Sequence, residues 1–142
     1  MGMGSNMNKS LKTLLEYLME EERPMVLYHG TLRDNVESIL SGGLKAGGGW
    51  GGAAKPGVFL SPTPEDASYW AKMTLLRKLG MPKDNAYFDQ LTDYDMEEIV
   101  ILKIRIPSEE AGNVIERRMS FSLPNDLQYV GSIPPEWISV LT

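Results

Sequence analysis

The 142-residue chain contains no cysteine and a single histidine, His29. The first absence excludes disulfides, thiolate catalysis and cysteine-based zinc sites, and the second leaves no histidine pair for a metal. No apolar run approaches the length that crosses a bilayer, and no basic segment leads into an apolar signal region, so a cytoplasmic protein without membrane contact is expected. No repeat of solenoid period is present. Positive charge is also scarce. Fourteen Lys and Arg face nineteen Asp and Glu, for a net charge of -5, which argues against a broad duplex nucleic-acid footprint while leaving room for a small local groove. The 42% hydrophobic and 23% charged content is that of an ordinary globular domain. The expected organisation is a flexible N-terminus over 1-8 followed by one domain over 9-142.

What the chain does have is concentrated between Pro24 and Met73. Before it, Leu11, Leu14, Leu15 and Leu18 form one stripe of an amphipathic helix over Lys9 to Glu22. Met25 to Tyr28 reads as a short buried strand with His29, Gly30 and Thr31 at its end. Asp34 and Glu37 suggest a capping box for a helix with Val36, Ile39 and Leu40 on one face, stopped by Gly42 and Gly43. A loop over 46-57 follows in which six of twelve residues are glycine. Val58 to Leu60 gives a second strand. Thr63 as N-cap, Pro64 at the first helical position and Asp66 two residues later open a helix reaching about Leu79. At ~100° per residue, Ala67, Trp70, Ala71 and Leu75 share one face of it and Tyr69, Met73 and Leu76 lie roughly opposite, so one face is expected to serve the core and the other, led by Tyr69, a cleft.

From Asp84 to Glu98 there are six acidic residues and no basic one, the pattern of an exposed connection; the spacing and glycine of an EF-hand are missing. Ile99 to Ile106 is the strongest strand, ended by Pro107. A short turn or helix at Glu109 to Gly112, a turn at Pro124-Asn125-Asp126, a strand over Leu127 to Val130 and a last strand over Trp137 to Leu141 complete the expectation. Short strands crowd the second half and only two helices fall between strands, which favours an α+β fold over a doubly wound parallel sheet.

Several chemistries fail on spacing. Gly47 to Gly52 matches G-x-G-x-x-G, but it follows a helix and precedes a strand, with Pro56 between, so it is not a dinucleotide fingerprint; Lys55 is not followed by Ser or Thr, so it is not a Walker loop. A lid over a pocket and a plain flexible connection remain open. There is no G-x-S-x-G elbow and no HExxH pair. A lone histidine at a strand end is more often structural than catalytic, but Gly30 directly after it lets a ligand approach backbone groups able to read an amide.

Leu27-Tyr28-His29-Gly30-Thr31, Ile39, Gly43-Leu44, Gly57-Val58-Phe59-Leu60-Ser61, Ala67 and Tyr69 together resemble the ADP-ribosyltransferase superfamily of the diphtheria-toxin and poly(ADP-ribose) polymerase type, in its small bacterial or phage form. The resemblance covers about fifty residues in the right order, within the range set by a single domain. It implies a split, strongly bent β-sheet, with an N-terminal helix and two helices flanking an NAD cleft. It implies NAD as substrate, no metal, and a macromolecular acceptor, protein or nucleic acid. His29 would hydrogen-bond the adenosine-side ribose, Gly30 the nicotinamide amide, and Tyr69 would stack on nicotinamide, with Thr31, Phe59 and Ser61 completing the cofactor-binding set. The serine that the polymerases carry three residues before the tyrosine is here Asp66, read as a helix-capping residue. The family's late catalytic glutamate is replaced, with Asp126 the first choice and Gln128 the second, and Asp126 reads equally as a turn residue. Glu136 is read as a structural turn residue in a Gly-x-Ile-Pro-Pro-Glu tail. Two alternatives stay open: an RNA 2'-phosphotransferase-like enzyme, disfavoured because the glycine loop supplies no arginine for a 2'-phosphate, and a non-catalytic NAD or ADP-ribose binding module.

Overall fold

The computed structural model describes residues 23–47, 56–117 and 126–141. The expected N-terminal helix over 9–22, most of the glycine loop and the turn at Pro124-Asn125 lie outside the described residues.

The architecture is α+β, with two three-stranded antiparallel sheets. The first has the order β1-β3-β6, from β1 (Met25–Leu32), β3 (Ile99–Ile106) and β6 (Ile138–Val140). The second has the order β2-β5-β4, from β2 (Gly57–Leu60), β5 (Asp126–Val130) and β4 (Val114–Arg117). Helix α1 (Arg33–Gly42) leads from β1 toward the glycine loop, and α2 (Pro64–Lys78) follows β2. The acidic connection folds into a 3-10 turn over Asn85–Gln90 and a one-turn helix, α3 (Asp93–Met96).

Ile99–Ile106 is central because its apolar residues have something to bury against on both sides. Leu102, Ile104 and Ile106 are fully buried and share a cluster with Leu27, Val58, Leu60, Tyr129 and Ile133, so both sheets contribute to one core. The side chains of α2 that are buried (Ala67, Ala71, Met73, Leu75, Leu76) are not in that cluster. They lie on the other face of the first sheet, where α2 packs so closely on β1 that a Cβ at Gly30 would overlap the Ala67 carbonyl and approach Ala71 Cβ to 2.8 Å.

Cap chemistry follows the sequence at α2, where Thr63 Oγ1 accepts from the Asp66 N–H at 3.1 Å and Pro64 opens the helix. It does not at α1. The N-cap is Leu32, no side chain caps the helix, and the Arg33 N–H instead donates to the Glu98 carbonyl at 2.7 Å. Asp34 accepts from Lys78 Nζ at 3.1 Å, and Lys78 also reaches Glu98 at 2.8 Å. The supposed capping box is therefore an interhelical tether, because the end of the connection into β3 already occupies the helix N-terminus. Leu40, expected on the buried face of α1, is 41% exposed, and Ile39 alone of that helix is fully buried. The acidic connection has its own caps: Asp84 accepts from the Ala86 N–H, and Thr92 and Asp95 form a reciprocal capping box. The tail forms a 3-10 turn over Pro135–Trp137 ahead of β6, with Glu136 exposed in it.

Gly42 and Gly43 end α1 by different means. Gly43 has φ +82, donates to the Ile39 carbonyl at 2.8 Å, and would drive a Cβ into the Ile133 carbonyl; Leu44 and Ile133 then exchange backbone hydrogen bonds of 2.9 and 2.8 Å. Gly42 is helical with open space around it. Gly43→Ala is accordingly expected to cost at least ~2 kcal/mol through left-handed strain and overpacking. Gly42→Ala is expected to be neutral or stabilising by about 0.5–1 kcal/mol. Urea unfolding of the two single variants checks the opposite signs.

Candidate functional site

Among the described residues the two sheets meet at one backbone bridge. The Tyr28 N–H donates to the Ser61 carbonyl at 2.9 Å and the Ser61 N–H to the Tyr28 carbonyl at 2.7 Å. Continuing that antiparallel register two residues along would set Gly30 against Phe59. The pairing stops first, and β1 and β2 part.

The parting leaves a specific set of backbone groups. In an antiparallel ladder the polar groups of successive residues point to alternate sides. Those of Tyr28 point away from β3, toward Ser61, and those of Gly30 point the same way. The partner strand agrees: Ile101, opposite Gly30, turns its carbonyl to the other neighbour and accepts from the Leu141 N–H at 2.9 Å. The N–H and C=O of Gly30 thus open into the fork, with no backbone partner among the described residues. On β2, Gly57, Phe59 and Ser61 share the edge that faces the fork. Gly57 is covered by Gly47, with which it exchanges bonds of 3.0 and 3.2 Å, and Ser61 by Tyr28. The Phe59 carbonyl is taken by the His29 ring, whose Nδ1 lies 2.8 Å away.

That contact fixes the state of the imidazole. A carbonyl only accepts, so Nδ1 carries the proton, and in the neutral ring Nε2 is left as an acceptor. Burial pushes the His29 pKa below its ordinary 6.5, opposed by the bond to Phe59. His29 is therefore a neutral group with one nitrogen committed to holding the fork and the other able to accept from a hydroxyl. Desolvation outweighs the carbonyl because it removes water from the whole charged ring, whereas the bond touches one N–H.

The remaining sequence candidates distribute unevenly around this fork. Thr31 is buried one residue beyond Gly30, and Ser61 is buried at the bridge itself. Gln128 lies opposite Phe59 across β2 and β5, so the two side chains share a face, and it is only 1% exposed. Its amide fits against Gly57, where a Cβ would come within 2.6 Å of Nε2. Asp126 opens β5 opposite Arg117 of β4; its backbone is strand rather than turn, and its side chain lies outside the described residues.

Tyr69 departs from the expected open position. Ala67 and Ala71 face Gly30, which turns Tyr69 to the back of α2, against the acidic connection. There its ring meets Phe88 edge-on at 5.3 Å and Trp70 at 5.1 Å, and the Asn85 amide reaches its hydroxyl at 3.5 Å. Met73 and Leu76, on the same side, are buried. On this side of α2 the Asn85–Gln90 turn covers Tyr69 through Phe88.

Sequence reasoning missed two features. The Phe59 main chain, rather than its ring, meets His29, and only the register across the fork reveals that. Trp70 carries a buried indole Nε1 with no hydrogen-bond partner among the described residues. Its signal in the sequence, an aromatic beside Tyr69, was assigned to the core face. Elsewhere, Tyr129 donates to Glu110 at 3.1 Å and stacks edge-on with Trp137 at 5.7 Å, which ties the 3-10 turn over Ser108–Asn113 to the second sheet. Burial, then Glu110, raise the Tyr129 pKa, so this phenol is a structural donor.

Among the described residues no group of three or more acidic or histidine side chains is placed to hold a metal, and no helix is long and apolar enough to cross a membrane. No family model matches the chain, and no curated protein matches it.

Because His29 is the sole histidine, its ring protons give a single titration by NMR. The midpoint is expected below 6.5. The sign for stability follows: below pH 6.5 the unfolded chain takes up a proton that the folded chain refuses, so stability falls as pH drops from 6.5 toward the folded pKa and then levels off. The slope from this one group is limited to about 1.4 kcal/mol per pH unit. Chemical denaturation at stepped pH should show this component in the parent protein and not in His29→Phe.

Proposed function

We propose that the protein is an NAD-dependent ADP-ribosyltransferase, which moves ADP-ribose from NAD to a macromolecular acceptor, protein or nucleic acid, and releases nicotinamide. The observation that carries the reading is the fork between β1 and β2. The N–H and C=O of Gly30, side by side and without backbone partners among the described residues, complement a primary carboxamide, which offers one acceptor and one donor. The neutral His29 beside them offers Nε2 to a ribose hydroxyl.

The split, strongly bent sheet expected of this family is read onto the two three-stranded sheets joined at Tyr28 and Ser61, with α1 and α2 as the flanking helices. Cytoplasmic location and a single domain over 9-142 belong to the same reading. In the reaction the bond between the ribose anomeric carbon and the nicotinamide nitrogen breaks, its electron pair leaves with nicotinamide, and an acceptor oxygen or nitrogen attacks the carbon and gives up its proton. Positive charge grows on the ribose in the transition state, and a carboxylate aimed there stabilises it. Asp126, at the start of β5, supplies a full charge, whereas Gln128 offers only an amide dipole, although it is Gln128 that lies opposite Phe59.

That neutral, buried Gln128 also favours a second reading, a binding module that holds NAD or ADP-ribose without turnover.

Incubation with NAD labelled in the adenylate half, together with cell lysate or nucleic acid, should transfer label and release nicotinamide. His29→Ala should lower the rate at least ~10-fold, the loss of one hydrogen bond to the bound nucleotide. Removal of the charge-stabilising group should lower kcat by about 100-fold or more with little change in KM, so Asp126→Asn and Gln128→Met identify which residue holds that role. Calorimetric NAD binding with no nicotinamide release would establish the binding module instead; no binding and no release would end both readings.

A further inference from the structure

Phe59 carries a main-chain donor that neither sheet uses. Gly57 and Ser61 both turn their N–H and C=O to the fork side of β2, as their bonds to Gly47 and Tyr28 show. Phe59 lies between them, so its own N–H and C=O point the same way, away from β5. It stands opposite Gln128 without exchanging backbone bonds, and the ladder to β5 runs through Val58 and Leu60. The Phe59 carbonyl is met by His29 Nδ1 at 2.8 Å. The Phe59 N–H has no hydrogen-bond partner among the described residues. Backbone donors in native structures are nearly always paired, with protein, water or ligand.

Register says what faces that donor. Tyr28 and Ser61 exchange both bonds, so the next pair of the same kind would be Gly30 with Phe59. In such a pair the Gly30 N–H faces the Phe59 C=O, and the Gly30 C=O faces the Phe59 N–H. The His29 ring serves the first of these positions, and no protein group among the described residues serves the second. A carboxamide bonded to Gly30 puts its oxygen at the Gly30 N–H and its amino group at the Gly30 C=O. Its oxygen is then at the end of the pair remote from the Phe59 N–H, and the amino group nearer to it cannot accept. We infer that the main-chain N–H of Phe59 is a second anchor of the cleft, donating to an oxygen of the ADP-ribose portion of the bound dinucleotide. This rests on the NAD reading given above. The ligand then bonds both strands and stands in for the missing rung, with nicotinamide held from β1 and the ribose side held from β2.

The test uses the full chain, with NAD as the probe and nicotinamide and ADP-ribose as separate arms. The chain has three phenylalanines, so ¹⁵N-phenylalanine labelling gives three backbone amide peaks, and Phe59→Tyr identifies one by its loss. Phe88, packed on Tyr69, is the internal reference. With NAD the Phe59 peak is expected to move downfield and its hydrogen exchange to slow about tenfold, one hydrogen bond's worth. ADP-ribose should reproduce the slowing and nicotinamide alone should not. Slowing by nicotinamide alone, or an unchanged Phe59 exchange rate while the His29 resonance responds to NAD, would overturn the inference and leave the NAD reading standing. If neither His29 nor Phe59 responds, the NAD reading fails and the inference with it. A pair of variants supplies the functional arm. Phe59→Pro deletes the N–H and Phe59→Ala keeps it, while both lose the ring. Proline is tolerable here because this N–H lies outside the β2–β5 ladder and Val58 is already extended, as the residue before a proline must be. Phe59→Pro should show a KM for NAD about tenfold above that of Phe59→Ala, at equal kcat. Equal KM values in the two folded variants would overturn the inference; should Phe59→Pro fail to fold, the exchange measurement on the parent chain decides.

Discussion

The structure depends on the place where β1 and β2 stop pairing. Among the described residues one reciprocal backbone bridge, Tyr28 with Ser61, joins the sheets, and two residues further on the register is abandoned. A sheet that ends its pairing early exposes donors and acceptors that must be satisfied in another way. Here the His29 imidazole takes the Phe59 carbonyl, Gly47 takes Gly57, and the groups of Gly30 are left facing the gap. A single side chain thus substitutes for part of a ladder and holds the fork between the two strands. It also explains why the only histidine is neutral: burial disfavours the charged ring by more than the Phe59 carbonyl, which holds the Nδ1 proton, favours it.

Helix α2 is the second constraint, and glycine sets it. Without a side chain at Gly30, the backbone of α2 at Ala67 can lie directly on β1, with Ala71 as the next small residue along the same line. This close seat decides the direction of every other residue of the helix. It turns Tyr69 toward the acidic connection, where the ring meets Phe88 edge-on, and it sets Met73 and Leu76 on that same side of the helix, buried. The connection, which carries six acids, remains ordered because it caps its own short helices and supplies the Glu97 and Glu98 carbonyls to Arg33. Lys78, with its pKa raised first by Glu98 and then by Asp34, joins the end of α2 to that corner. Its exposure keeps the ion pairs a matter of geometry rather than of stability.

Much of this order was legible in residues whose effect is local. Thr63-Pro64 opened α2 because a hydroxyl at the N-cap and a missing N–H at the next position act within one turn. Ile99 to Ile106 was readable as a strand because four β-branched or aliphatic residues lead into an alternation with Lys103 and Arg105, and Pro107 ended it. Gly42-Gly43 was readable as a helix stop, and the α+β class followed from the spacing of the elements. The misreadings were all non-local. Asp34 and Glu37 had capping-box spacing, but Glu98, more than sixty residues away, supplies the carbonyl that meets the helix end. Leu40 had the right period for α1 and found nothing to pack against. Tyr69 was rightly placed opposite the Ala67/Ala71 face of α2, yet there it packs against Phe88 of the connection.

The sequence by itself determined the order of the main helices and strands, though β1 runs on past Tyr28 to Leu32 because β3 pairs with it throughout, and it determined that neither cysteine chemistry nor a histidine metal pair was available, because each of these depends on residue type and near neighbours. Only the tertiary structure decided that β1 and β2 share one bridge and then diverge, that the imidazole bonds a main-chain carbonyl, that Gln128 is buried against Gly57, and that the unused donor belongs to Trp70 rather than to Tyr69. Those outcomes turn on register between strands far apart in the chain and on how closely a helix can approach a glycine, and neither distance is written in any local stretch of residues.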